Sequence, residues 1–192
     1  MFGLYGFRMG PTLTWPHFLK LILTLENAEY LKMAEQYQLE KNLWTDADFE
    51  KMSWHDCPIH AIFFRNDCQL LLDIDYIFKW VLMKNKKHFQ FWIAPCTLIF
   101  DNVYNIQFES TNTNLIIDSI CRESPRVPEN AEYINKDTEY DWIIETTVGE
   151  ISFTSVGYTQ YVRNIPTLLR TQSIDMLTRG GISFDTSFSA QG

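Results

Sequence analysis

A chain of 192 residues, 46% hydrophobic and 15% aromatic, can build one sizeable core, which argues against a disordered chain. A net charge of −8 argues against a phosphate-backbone footprint, so a basic protein is the expected kind of partner and nucleic acid is not. No run reaches the ~18 apolar residues of a membrane span, and the short apolar segment 18–25 is interrupted by Lys20 and followed by no small-residue cleavage pattern, so neither a membrane nor a secretory route is expected.

In chain order, residues 1–32 look unlike the rest. Positions 1–15 are rich in Gly and aromatics without a period. Residues 17–41 carry a helical spacing (Phe18, Leu21, Ile22, Leu25, Tyr30, Met33, Tyr37) after Pro16. One reading is an ordinary amphipathic helix; the other is that Met33 is the natural start and 1–32 a poorly integrated extension. Residues 44–52 read as a short helix, with Thr45 as N-cap and Asp48 completing a capping-box pattern.

Residues 54–80, WHDCPIHAIFFRNDCQLLLDIDYIFKW, read as a long β-hairpin turning at Asn66-Asp67. A two-residue turn places Ala61 opposite Leu72 and His60 opposite Asp73. One face then carries Ile59, Ala61, Phe63, Leu70, Leu72 and Ile74 and must be buried; the other carries His60, Asp73 and Asp75 and is expected to face outward. A third strand follows over 89–94. Pro95, which cannot donate to a ladder, is expected to mark an edge, a bulge or a strand break. Extended segments continue over 97–100, 103–109 and 115–120, and 124–136 reads as an irregular loop. A second hairpin is expected over 140–158, turning at Gly149-Glu150. Residues 165–176 suggest a helix after Pro166, broken by Gly180-Gly181, and the Ser-rich end is expected to fray. The expected fold is α+β and mostly β: an antiparallel, meander-like sheet of six to eight strands with helices concentrated near the N-terminus. The expected division is an extension over 1–32, one β-rich domain over 33–179 and a tail over 180–192.

The chemistry-bearing cluster is His55, Asp56, Cys57, His60, Asp73 and Asp75. Imidazoles with carboxylates suit a divalent metal or a general acid–base pair. They also suit a cross-strand His–Asp pair that satisfies polar groups on a half-covered face. His55, Asp56, His60, Asp73 and Asp75 are therefore candidate binding residues, with no catalytic residue, metal or cofactor assigned. No nucleophile elbow, P-loop or dinucleotide fingerprint is present. Cys57 lies next to Asp56, but adjacent residues on a strand point to opposite faces. The four cysteines form no C-x-x-C and read as reduced thiols of a cytoplasmic protein. The aromatic set Trp80, Phe89, Phe91, Trp92 and Phe100 reads as core.

The segments WHDCPIH at 54–60, LLDIDYI at 71–77 and APCTLIF at 94–100 resemble an uncharacterised bacterial protein family over about 33–162. A looser likeness is to small β-rich immunity proteins of bacterial toxin systems, through the His-Asp pair and Phe100-Asp101-Asn102-Val103. The likeness implies a non-catalytic domain that binds and occludes a toxin, against the alternative of a metal-dependent or acid–base enzyme using His55, Asp56, His60 and Asp73.

Overall fold

A computed structural model describes residues 36–83 and 87–190. The extension expected over 1–32, the start at Met33 and most of the helix expected over 17–41 lie outside them. Residues 36–41, the described end of that helix, are not helical.

The described chain is mostly antiparallel β, in ten strands: β1 (Leu43–Thr45), β2 (Ile59–Arg65), β3 (Gln69–Leu82), β4 (Phe89–Phe100), β5 (Tyr104–Ser110), β6 (Ile117–Arg126), β7 (Glu139–Thr146), β8 (Gly149–Ser155), β9 (Tyr158–Val162) and β10 (Thr167–Leu169). They make two sheets, not one meander. The first runs β1-β9-β4-β3-β2, with β10 also beside β4, and the second runs β5-β8-β7-β6. Helix is scarce among the described residues and is not gathered ahead of the sheets. Asp46–Lys51 is a 3-10 turn, and α1 (Ala131–Ile134) is a single turn inside the loop expected to be irregular. The expected cap is present in part: the Thr45 N–H donates to Asp48 Oδ2 at 3.0 Å.

The sheets face each other over one core. Leu70, Leu72, Ile74, Leu98 and Phe100 come from the first, and Ile117, Trp142, Ile144, Ile151 and Phe153 from the second. Phe100 packs edge-on against Trp142 and Phe153, with ring centroids at 5.1 and 4.8 Å. The three core indoles keep their donors paired, Trp44 Nε1 to the Lys41 carbonyl, Trp54 Nε1 to Gln160 Oε1 and Trp142 Nε1 to the Ser155 carbonyl.

The register of the first hairpin corrects the expected one. Arg65 pairs with Gln69, so the loop is Asn66-Asp67-Cys68, and Cys68 takes a left-handed φ of 59°. Asn-Asp lacks the glycine of the tightest turn, and a third residue in the left-handed region closes the hairpin instead. The single-residue slip exchanges the faces of β2. Ile62 and Phe64 now oppose Leu72 and Leu70, while Ala61 opposes Asp73 and Phe63 opposes Leu71. A bulge at His60 restores the expected pairing of Ile59 with Ile74. The second hairpin turns earlier than expected, at Thr147-Val148, and its slip is even, so Trp142, Ile144, Ile151 and Phe153 stay on the core side. Gly149 is needed for another reason: a Cβ there would lie 2.0 Å from the Glu109 carbonyl oxygen of β5.

Pro95 breaks nothing. β4 runs unbroken through it, in the interior of the sheet. The Asp75 N–H donates to Pro58 on the β2 side, and the Pro95 carbonyl accepts from Arg163 on the other side. The missing N–H of Pro95 thus falls where the neighbour of β4 changes from β10 to β9.

Two sequence expectations fail in the C-terminal part, and both failures matter for the site. Residues 165–176 form β10 and turns, not a helix. Thr167–Leu169 pairs with β4, so its backbone groups are satisfied by the sheet. Beyond Arg179 the chain does not fray through Ala190. Gly180 and Gly181, at φ of 80° and 82°, turn it back, and the Ser189 N–H donates to the Arg163 carbonyl at 2.7 Å. This segment covers the face of the first sheet that points away from the sandwich core.

Candidate functional site

The alternation along β3 puts Leu71, Asp73, Asp75 and Ile77 on the face opposite Leu72 and Ile74. The expected division of the two faces is therefore present, but the carboxylates do not face water. Asp73 and Asp75 are both completely buried, beneath the C-terminal segment. Each is held by groups that arrive from 90 or more residues away.

Arg179 forks onto Asp73, with Nη2 on Oδ1 at 2.7 Å and Nη1 on Oδ2 at 2.8 Å. Arg163 Nη2 donates to Asp73 Oδ1 at 2.5 Å, and the Ser183 N–H donates to Oδ2 at 3.0 Å. Asp75 receives Arg179 Nε at 3.1 Å on Oδ1. On its Oδ2 it receives His60 Nε2 at 2.9 Å, the Ile174 N–H at 2.7 Å and the Ser173 hydroxyl at 3.3 Å. The expected His60–Asp73 pair is thus a His60–Asp75 pair, because the bulge at His60 shifts the ring along the strand. Arg163 also donates through Nη1 to Thr97 and to the Ser183 carbonyl, and the Thr97 hydroxyl in turn donates a hydrogen bond to the Asp185 carbonyl.

Two guanidinium groups balance two carboxylates that are themselves fully buried. Burial pushes both carboxyls up, but hydrogen bonds and charge from Arg179 and Arg163 at Asp73, and from His60, Ile174 and Arg179 at Asp75, hold both below the usual carboxylate range. Asp73 and Asp75 thus stay ionised, and every one of their four oxygens accepts from protein donors. The arrangement is an internal clasp that ties the C-terminal segment to β3. It leaves no free carboxylate oxygen for a metal or a travelling proton. Among the described residues no group of three or more His, Cys, Asp or Glu side chains is placed to hold a metal ion.

His55 and Asp56 lie apart from the clasp. The side chain of His55 is 54% exposed, donates through Nδ1 to the Asp118 carbonyl at 3.0 Å and stacks on Trp80 at a centroid distance of 6.4 Å. That hydrogen bond, together with the nearby Asp56 and Asp118 carboxylates, raises its pKa. Asp56 takes a left-handed φ of 64°, and its Oδ2 accepts from Gln172 Nε2 at 2.7 Å. Cys57 is completely buried, and burial pushes its thiol up to about 12.

The aromatic set divides. Phe100 and Phe91 are buried, but Trp80 and Phe89 are 41% and 44% exposed. A bulge in β3 between Ile77 and Lys79 turns Trp80 and Leu82 onto the same face as Phe91 and Phe89, beyond the end of the C-terminal cover.

The second sheet carries a different surface. Ile151 and Ile144 on β8 and β7 are buried in the core, so by alternation Glu109, Glu150 and Glu145, paired across β5, β8 and β7, stand side by side on the outward face. All three are exposed, and Ser119 on β6 closes the row with a 2.7 Å hydrogen bond to Glu145. The adjoining edge strand β5 is exposed at every residue, with Ile106 at 40% and Phe108 at 52%.

The arginines that complete the clasp were not found from sequence. The available signal was the near-continuous apolar run of β3, which marks a strand covered on both faces. Two aspartates in such a strand need buried cations, and Arg163 and Arg179 supply them. Comparison with family models, with curated protein sequences and with solved structures returned no match.

Proposed function

We propose that this chain is a non-enzymatic protein-binding domain of the toxin-immunity kind, acting in the bacterial cytoplasm, which captures a basic partner on the outward face of its second sheet. The reading is carried by the row Glu109–Glu150–Glu145. Like charges directly opposite one another on neighbouring strands weaken a sheet. Folding alone gives no return for placing three carboxylates there, whereas a cationic partner surface does. Such a row also steers encounter, speeding association with a basic protein at low salt. The β5 edge beside it, exposed at every residue and uncovered by any strand among the described residues, offers backbone for the same partner to pair with.

The enzyme reading loses its groups to the clasp. Asp73, Asp75 and His60 are engaged with Arg163, Arg179 and each other, and His55 lies apart on the surface. Among the described residues no helix is long and apolar enough to cross a membrane.

The test is affinity capture from extract of the source cells at low and high salt, comparing the native chain with a variant carrying Glu109→Gln, Glu145→Gln and Glu150→Gln. A basic protein retained by the native chain, released by salt and missing from the variant is the expected result. Equal retention of the same proteins by both chains would remove this surface from consideration.

A further inference from the structure

We propose that the cleft between residues 87–91, at the start of β4, and residues 170–172 is a binding site for a small planar aromatic anion. It is independent of the acidic row on the second sheet. The cleft is open to solvent, has a volume of about 830 Å³ and is lined by Phe89, Phe91, Lys87, His88, Arg170 and Gln172, among others. That volume falls in the range of small-molecule sites, which are concave, largely apolar and fitted with a few polar groups.

Three features of this cleft point to one ligand chemistry. The first is an aromatic wall. Phe89, 44% exposed, and the mostly buried Phe91 line the cleft, and Trp80, outside the lining, holds both rings edge-on at 5.6 and 4.9 Å. Rings held by their neighbours at fixed angles offer a stacking platform at little conformational cost. The second is charge. In a chain of net charge −8, two cationic side chains and a histidine line this one concavity. Most arginines elsewhere answer an acidic partner: Arg122 pairs with Asp46, Arg126 with Glu139 and Asp141, and Arg163 and Arg179 with the clasp. Arg170 is exposed at the mouth of the cleft instead, where its planar fork suits a carboxylate or phosphate. The third is preorganisation. Gln172 is fixed by its 2.7 Å hydrogen bond to Asp56, and β10 pins the chain just before Arg170 by pairing Leu169 with Phe91. The cationic wall is therefore held beside the aromatic wall before any ligand arrives.

A ring stacked on the aromatic wall with its anionic group turned to Arg170 uses both walls at once. Either half alone uses only one. The test is titration of the full chain, by calorimetry and by chemical-shift mapping, with adenosine monophosphate and indole-3-acetate as ring-plus-anion probes. Adenosine serves as the ring alone and inorganic phosphate as the anion alone. The expected result is saturable binding of at least one ring-plus-anion probe with a Kd below about 1 mM, a modest affinity of about −4 kcal/mol. Adenosine and phosphate are expected to bind at least tenfold more weakly, and the shifts to centre on Phe89, Phe91 and Gln172. Arg170→Glu, at an exposed position, is expected to weaken the bound probe at least tenfold with an unchanged melting temperature. Failure of both ring-plus-anion probes to saturate, or equal binding by Arg170→Glu, would overturn the proposal.

Discussion

Arg179 grips both oxygens of Asp73 through a two-pronged hydrogen bond, across 106 residues of chain, with neither side chain touched by solvent. That contact sets the architecture of the C-terminal segment. It holds residues 163–190 against the outer face of the first sheet and so turns a sheet with one core into a sheet covered on both sides.

Removing one member of the clasp unbalances its buried charges, and breaking a buried ion pair typically costs about 3–5 kcal/mol. Asp73→Asn leaves Arg163 without a carboxylate and Arg179 with Asp75 alone, and Arg179→Met leaves Asp73 with Arg163 alone and Asp75 with His60. Each is expected to lose stability on that scale in urea unfolding. The double variant Asp73→Asn with Arg179→Met is expected to be more stable than the sum of the two single losses predicts, because the two changes remove opposite charges together. Strictly additive losses would show that the two residues do not act as a unit.

The same contact makes a pH prediction whose sign follows from the lowered carboxyls. A carboxylate whose folded pKa lies below its unfolded value of about 3.9 contributes stability above that value, and the contribution is lost as pH falls through the folded pKa. For Asp73 and Asp75 the loss therefore falls below about pH 4. Urea midpoints are expected to change little from neutral pH down to mild acid and to drop steeply beyond that point. The drop should be shallower in Asp75→Asn; an identical acid limb in both chains would place the acid sensitivity elsewhere. His55 works in the opposite sense. Its raised pKa gives a contribution complete below about pH 6.5 and lost as pH rises through the folded value, small because the ring is half in water. Its ring protons in an NMR titration are expected to move above pH 6.5.

The strand order and the site were legible in the residues to different depths, for a reason visible at His60. Period-two alternation made Leu70, Leu72 and Ile74 an inward row and Asp73 and Asp75 the opposite row, and both assignments hold. Register depends on one residue of turn geometry, and Cys68 in a left-handed conformation shifted it, moving Phe63 from the core onto Phe184. Whether the second face met water depended on a segment that local pattern marks as a Ser-rich tail. Its attachment rests on Ser183, Asp185 and Ser189 binding groups set by a chain reversal at Gly180-Gly181. Such long-range polar pairing leaves no periodic trace. The apolar residues flanking the aspartates were the only local sign of it.

Thiol reactivity separates the buried face from the surface. Cys57 and Cys96 are completely buried and their pKa values are raised by burial, whereas Cys68 and Cys121 are exposed. An aromatic disulfide reagent in native buffer is expected to titrate two thiols quickly and the other two only after denaturation. Mass mapping should assign the fast pair to Cys68 and Cys121. Fast labelling of Cys57 would reinstate it as a candidate nucleophile beside Asp56 and contradict its complete burial.

The acidic row makes a prediction that separates function from fold. Glu150 sits between Glu109 and Glu145, so its charge meets a like charge on both sides. Glu150→Gln keeps the shape and removes both repulsions, each on the order of 0.2–1 kcal/mol for directly opposed strand residues. The variant is expected to be more stable than the native chain, with the difference shrinking at high salt as screening already weakens the repulsion. It is also expected to bind the basic partner more weakly, chiefly through slower association. A gain in stability together with a loss of binding is what a surface kept for recognition produces. A variant both less stable and equal in binding would show that the row serves the sheet itself, and the partner would have to be sought on another face.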